Sequence, residues 1–465
     1  MRLTALLTTK RGKNLFLPAH GRGNALPMEI KALLKNKPGL WDLPELPDIG
    51  GLGLSEGAIE IIQQECASSI GAKKGWFGVN GATGLLQASL LAIAKPKENV
   101  LMPRNIHRSV IHACILGDIN PVLFDLPYLE DRGHYKPADV DWFQDVLNAL
   151  EKENIVISAV VLTNPTYQGY SVNLRPLITL IHNKNLPVVV DEAHGAYFSS
   201  CLDSDLPQSA LKAGADLVVH SLHKSANGLV QTAALWWQGS MVDPYIVQRC
   251  IHLFQTSSPS ALLLASCEAA LNELRSEYAL EKLKIAILKA RFINDRLRKL
   301  GVPLLDNQDP LKLILHTAAQ GISGIDADPW FINRGLVGEL PEPGTITFCL
   351  GFARHQGIVR SIKNNWDKLI SSGLPMDSYP PFEKPPNPFV KALSSSSLSA
   401  FRGDSEIVPL SKSVGRISAD LISPYPPGIP LLFPGEILTS ELVEWMLIQK
   451  KIWPQQISSQ IRVVN

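Results

Sequence analysis

From about residue 75 to residue 240 the chain alternates short β-branched runs with segments of helical character, and this alternation limits the fold more than any other feature. The runs are Asn99–Met102, Pro121–Phe124, Ile155–Leu162, Pro187–Val190 and Asp216–His220. Helical patterns lie between them at Ala82–Ala94, His107–Leu116, Ala138–Leu150, Leu174–His182 and Gln208–Ala213. Several runs, ISAVVL and PVVV among them, are apolar almost throughout instead of at every second position. A strand covered on both faces needs that pattern, because its side chains point alternately to two buried sides. The block therefore predicts an α/β fold with a mainly parallel sheet covered by helices.

The remainder of the chain reads as additions to that sheet. Ser260–Leu300 is amphipathic and rich in Leu, Ala, Lys and Glu, which predicts one or two long helices leaving the sheet domain. Strand-like pieces LKLILHT and GTITFCLG in 300–374 predict a small α/β domain. Gly373–Ala400 holds six prolines and four consecutive serines, as a linker or extended arm would. Two helix patterns flank the turn-rich YPPGIPLLFPGE in 401–465. The expected division is an N-terminal arm (1–55), a large domain (56–290), a small α/β domain (291–374), a Pro/Ser-rich linker (375–400) and a C-terminal domain (401–465). At 465 residues the chain exceeds what one core usually supports.

Charge and cysteine usage exclude several functions. The formal net charge of +1 gives no electrostatic case for nucleic acid or an anionic membrane. Cys66, Cys114, Cys201, Cys250, Cys267 and Cys349 are scattered, with no CxxC pair, as reduced thiols are and as disulfide or zinc frameworks are not. The opening MRLTALLTTKRGK is too short in apolar residues for a secretory signal, and no apolar run is long enough to span a bilayer. A soluble, intracellular protein is expected.

Open α/β sheets bind ligands at the carboxyl ends of their strands, and three features fall at such ends. Asn80-Gly81-Ala82-Thr83-Gly84 opens a helix, where unpaired N–H groups and the positive dipole end suit an anion; a plain glycine turn with a Thr cap fits the same residues. No GK[ST] follows, which excludes a Walker loop. Asp191 follows PVVV in VDEAHG. A carboxylate at a buried strand end must be paired, and a protonated ring nitrogen of a cofactor would serve, although an Asp capping the next turn is the simpler alternative. Lys224, in HSLHKS after DLVV, is a candidate Schiff-base former, with an ordinary surface lysine as its alternative. The histidines around it lack the carboxylate or cysteine company of a metal site, so no metal is expected.

The order of these features resembles that of the fold-type-I pyridoxal-phosphate enzymes, which have a mainly parallel seven-stranded sheet. Finer motifs resemble the short bacterial form of the ornithine/lysine/arginine decarboxylase family along nearly the whole chain. They are LPAHGRG (17–23), LPELPDIGGL (43–52), NGAT (80–83), RNIHRS (104–109), TNPTYQG (163–169), DEAHGA (191–196), SLHKS (221–225), QTSSPSALLLAS (255–266) and YPPGIPLLFPGE (425–436). Ala82 departs from the family by replacing a hydroxyl residue.

The resemblance implies pyridoxal 5'-phosphate as cofactor and decarboxylation of a basic amino acid (arginine, lysine or ornithine) to the corresponding di- or polyamine. It implies that Lys224 carries the cofactor, that Asp191 pairs with the pyridine nitrogen, that His107 stacks on the ring and that Ala193 packs beneath it. Ala82, Thr83, Ser221 and His223 would surround the phosphate, with Ser257 or Ser258 reaching it from a neighbouring subunit. His194 would lie near the ring hydroxyl or substrate carboxylate, and His223 or Lys224 would protonate Cα. Glu436 would receive the distal cation, unless it is merely a neighbour of the helix at 439–449. A cytoplasmic homodimer or higher oligomer is implied. The alternatives are an aminotransferase, in which an arginine such as Arg354 clamps the α-carboxylate, and a non-catalytic protein that keeps the fold.

Overall fold

The structure is a computed structural model, and it describes residues 12–36, 39–50, 56–200, 202, 205–372, 382–424, 429–454 and 456–465. The opening segment 1–11, residues 375–381 of the expected linker, residues 425–428 of the YPPG turn and Cys201 lie outside the described residues.

The strands of the large sheet are β1 (Lys74–Gly78), β2 (Asn99–Pro103), β3 (Asn120–Phe124), β4 (Ala159–Thr163), β5 (Val188–Asp191), β6 (Leu217–Ser221) and β7 (Ala233–Trp237), joined late in the chain by β8 (Val390–Ala392). Their spatial order is β8-β3-β2-β4-β5-β6-β7-β1. β3, β2, β4, β5 and β6 pair in parallel. β7 runs antiparallel to both of its neighbours, and β8 runs antiparallel to β3. The expected seven-stranded, mainly parallel sheet is present, with an eighth strand on one edge.

Alternate residues of the parallel strands enter two different cores. Leu101, Val160, Val188, Val190 and Val218 pack on one side of the sheet. Val100, Val161, Val189, Leu217 and Val219 pack on the other. Each such side chain contributes about 1.5–3 kcal/mol by leaving water, which is why these runs tolerate almost no polar residue. Local chemistry sets the helix starts: Asp139, Asn173 and Ser276 each accept a hydrogen bond from a first-turn N–H of the helix they precede.

Ser260–Leu300 forms two helices, Ala261–Asn272 and Glu277–Lys299. The second leads into a four-stranded antiparallel sheet built from Leu304–Leu305, Lys312–Leu315, Leu340–Pro341 and Ile346–Cys349. The N-terminal arm ties this small sheet to the large one. Lys13–Asn14 pair with Leu336–Val337, Cys349 N–H donates to the Leu15 carbonyl, and Ala19 N–H donates to the carbonyl of His223. A third apolar cluster, including Leu432, Leu438, Val443 and Met446, forms the core of the C-terminal region. The five described cysteines are free. Among the described residues no helix is long and apolar enough to cross a membrane, and no cluster of metal-ligating side chains occurs.

Candidate active site

β5 and β6 are neighbours, with Asp191 in register with Val219, so Asp191 and the turn following Ser221 emerge at the same edge of the sheet. Ser225 staples the two turns together: its Oγ accepts from Ala196 N–H (3.0 Å) and donates to the Ala193 carbonyl (3.3 Å). Lys224, one residue earlier, is thereby fixed beside Asp191. Its Nζ lies 3.3 Å from His194 Nε2 and 5.8 Å from the centre of the Tyr167 ring.

Asp191 is buried, and its recorded hydrogen bond comes from Ala193 N–H to Oδ1 at 3.1 Å. It forms no ion pair within 4.0 Å among the described residues. Burial pushes its pKa up, while the charge of Lys224 pulls it down. Lys224 responds in the opposite sense: burial lowers its pKa, Asp191 raises it, and Lys312 lowers it further.

Glu192, the next residue, has a structural task. Its carboxylate accepts from Ala210 N–H (2.8 Å) and from His220 Nε2 (2.8 Å), while His220 Nδ1 accepts from Trp236 Nε1 (2.9 Å). All three side chains are buried, and the chain of bonds satisfies each.

Histidines surround Lys224. His107 caps the helix Arg108–Gly117: its Nδ1 accepts from Ser109 N–H at 3.2 Å and lies 2.8 Å from Ser109 Oγ. The His107 side chain is exposed to solvent but has protein packed around it, and that crowding together with the Lys224 charge lowers its pKa. His223 Nδ1 lies 3.2 Å from Ser221 Oγ and 3.4 Å from the Thr232 carbonyl; burial, then Lys224, lowers its pKa to about 4. His194 is lowered well below its usual value by burial, then by Lys312 and Lys224.

Ala82 and Thr83 stand at the start of the helix Gly81–Ile93, where Gly81 takes φ 68° and its N–H donates to Gln231 O. Thr232, the next residue, accepts from Leu222 N–H, so this helix start borders the Ser221–Lys224 turn. The structure thus gathers Lys224, Asp191, Ala193, His194, His107, Ser221 and His223 at one sheet edge, with Ala82 and Thr83 beside them.

Glu436 has charged and backbone partners of its own from within the chain. Its Oε1 is 2.7 Å from Arg104 Nη2, its Oε2 accepts from Phe433 N–H at 3.0 Å, and both charged side chains are 3% exposed. Arg354 is exposed and lines a separate cavity of about 1150 Å³ between the N-terminal arm, the helix Glu277–Lys299 and the turn at 351–359.

Three groups at the site were not singled out from sequence. Lys312 is buried, donates to the Tyr167 carbonyl at 3.1 Å and lies 3.2 Å from His194 Nδ1. Glu339 is held by Leu17 N–H (2.7 Å) and by the Tyr167 hydroxyl, and its charge reaches Lys224. Tyr167 itself packs on His194, ring centres 4.4 Å apart. A lysine inside an otherwise apolar run, LKLIL, was the available signal for the first of these.

Sheet order, the antiparallel β7 and a lysine one strand from a buried aspartate define the fold as that of the fold-type-I pyridoxal-phosphate enzymes. Lysine decarboxylase A from Pseudomonas aeruginosa superposes with a TM-score of 0.76 at 17% identity, covering 91% of this chain and 74% of that one. The constitutive lysine decarboxylase of Escherichia coli gives 0.74 at 18% identity, covering 90% and 74%. An arginine decarboxylase from Bacillus anthracis is 29% identical over 452 residues, 92% of this chain and 88% of the relative. Residues 41–305 match the Orn/Lys/Arg decarboxylase major domain, and 381–455 match the C-terminal domain of the same family. The chain belongs to the Orn/Lys/Arg decarboxylase family.

The residues present fit pyridoxal phosphate on their own chemistry. A buried carboxylate with no ion pair within 4.0 Å among the described residues suits a protonated pyridine nitrogen, an amine beside it suits an aldehyde, and the adjoining helix start suits a phosphate.

Proposed function

We propose that this chain is a pyridoxal-phosphate-dependent decarboxylase that converts a basic amino acid (arginine, lysine or ornithine) into its amine and CO₂. The observation that carries the proposal is the buried Asp191 carboxylate, without an ion-pair partner among the described residues, fixed beside the Lys224 amine at the ends of adjacent strands. When bound, the cofactor supplies a cationic ring that accepts the electron pair left as the carboxyl group departs. Lys224 is the covalent anchor, and Asp191 keeps the ring nitrogen protonated. His107 closes one side of the site, and the small side chain of Ala193 leaves room on the other. Ala82, Thr83, Ser221 and His223 hold the phosphate.

The proton that replaces the carboxyl group must come from a group near Cα. His223 Nδ1 lies between the Ser221 hydroxyl (3.2 Å) and the Thr232 carbonyl (3.4 Å), and burial with the Lys224 charge brings its pKa to about 4, so the ring carries no spare proton at neutral pH. Lys224 Nζ is therefore the better carrier of that proton. The α-carboxylate clamp that transamination would require gains no support from Arg354, which lines a different cavity.

We place the enzyme in the cytoplasm, in the formation of di- and polyamines, as a homodimer or higher oligomer. Exposed Ser257 and Ser258, just ahead of the helix Ala261–Asn272, support a contact with a second subunit. Incubating the holoenzyme with carboxyl-labelled arginine, lysine and ornithine tests the proposal. Labelled CO₂ and the matching amine from at least one are expected; transamination with a 2-oxo acid and no CO₂ would refute it.

A further inference from the structure

Two lysines face one imidazole. Lys224 Nζ lies 3.3 Å from His194 Nε2, and Lys312 Nζ lies 3.2 Å from His194 Nδ1. A neutral imidazole has one nitrogen that donates and one that accepts, whereas an ammonium only donates. Both lysines therefore cannot be ammonium groups bonded to this ring: one must present a lone pair.

The surroundings decide which. Lys312 Nζ is buried and meets two acceptors, the Tyr167 carbonyl at 3.1 Å and His194 Nδ1 at 3.2 Å, with the Cys349 thiol close enough to feel its charge. Its stem is held in place where Gly169, at φ +94°, lets the loop carrying Asp309 and Lys312 close on the TYQG turn; a Cβ there would lie 2.8 Å from Asp309 Cβ and 3.2 Å from Lys312 Cγ. Lys224 Nζ is half-buried and has one hydrogen-bond partner among the described residues, His194, so the protein offers an ammonium less there than at the buried Lys312.

We infer that Lys312 is a positioning residue: by donating to Nδ1 of His194 it places the ring hydrogen on Nε2, and that N–H in turn holds Lys224 as a free amine. The purpose of this arrangement rests on the reading of Lys224 as the cofactor's anchor, since only an unprotonated amine attacks a carbonyl carbon. The geometry itself does not rest on that reading. The charged and titratable groups facing Lys224 are Asp191, Lys312, Glu339, Cys349, His107, His194 and His223; those facing His194 are Lys312, Lys224, His223 and His107. Burial and Lys312 favour the neutral amine at Lys224, while Asp191 and Glu339 oppose it.

The test uses cofactor-free protein. Lys224 is acetylated in short pulses at a series of pH values, and its modification is read by peptide mass spectrometry in the natural chain, Lys312→Met and Lys312→Arg. Removing Lys312 takes away a cation and lets His194 accept from Lys224, and both changes favour the protonated amine. Lys312→Met should therefore raise the Lys224 titration by about one pH unit, making the amine about tenfold less reactive below it. Lys312→Arg should retain most of the natural reactivity. An unchanged Lys224 titration in Lys312→Met would overturn the inference. Nitrogen-15 spectra of histidine-labelled natural protein give a second reading that needs no variant: His194 should carry its hydrogen on Nε2, and finding it on Nδ1 would also overturn the inference. Cofactor uptake is measured separately, so a chain that shows the Lys224 shift but binds no pyridoxal phosphate would sink the decarboxylase reading alone.

Discussion

Glu436→Gln separates two roles for a carboxylate that the motif alone leaves open. The Arg104 and Glu436 side chains meet at 2.7 Å with 3% of each exposed, and Lys391 adds a second cation at 3.7 Å. Opposite charges with centres about 4 Å apart attract by about 4 kcal/mol at an effective dielectric of about 20. The glutamine keeps the shape and loses the charge. It leaves the guanidinium buried over the Phe433 ring, with an Nε that already lacks an acceptor among the described residues. Breaking a buried pair from one side in this way costs about 3–5 kcal/mol. The cost should appear in urea unfolding, with hydrogen exchange of the helix Ser440–Ile452 as the local reporter. Arg104→Met combined with Glu436→Leu removes both charges and should recover most of the loss with KM little changed. If Glu436→Gln stayed within about 0.5 kcal/mol of the natural chain while KM for the amino acid rose strongly, the carboxylate would be facing substrate and the structural reading would be wrong.

Other perturbations test neighbouring parts of the account. Asp191→Asn should keep cofactor uptake through Lys224 but lower the pKa of the ring nitrogen by about one to three units, cutting kcat about ten- to a thousandfold; an unaffected kcat would contradict its role. Folding lowers His223 from its ordinary 6.5 to about 4, so the folded chain binds fewer protons than the unfolded chain between those values. Stability of the cofactor-free protein should thus be complete above that window and drain as pH falls through it, by up to about 3 kcal/mol, and His223→Gln should flatten the profile in denaturant titrations. A Cβ at Gly324 would lie 2.0 Å from the Thr345 carbonyl oxygen and 2.3 Å from that of Glu342. Gly324→Ala should accordingly cost about 3 kcal/mol or more, read as a lowered Tm.

The parts of the fold legible in the sequence were those whose cause is local. Val188–Val190 and Leu217–Val219 are apolar on both faces because both faces are covered, and a window of a few residues reveals that. β1, with Lys74 and two glycines in KGWFG, carries no such pattern, whereas AALWW of β7 does. KGWFG is a strand because it pairs with AALWW, which is itself paired with β6, and Gly75 is there to admit the Trp236 ring, which a Cβ would approach to 2.4 Å. β8 hides in a Pro/Ser-rich stretch and exists through its pairing with Asn120–Phe124.

The candidate site divides in the same way. Asp191 and Lys224 stand at the ends of recognisable strands, so their proximity follows from topology. Lys312 belongs to the small sheet and meets His194 across 118 positions, and Arg104 finds Glu436 across 332. Nothing local in either segment announces its partner.

The most direct measurement is to load the protein with pyridoxal phosphate, reduce it with borohydride and map the modified peptide. The account predicts one cofactor per chain, attached to Lys224 and absent from Lys224→Ala. Attachment at Lys312 or at scattered surface lysines, or no attachment at all, would contradict it.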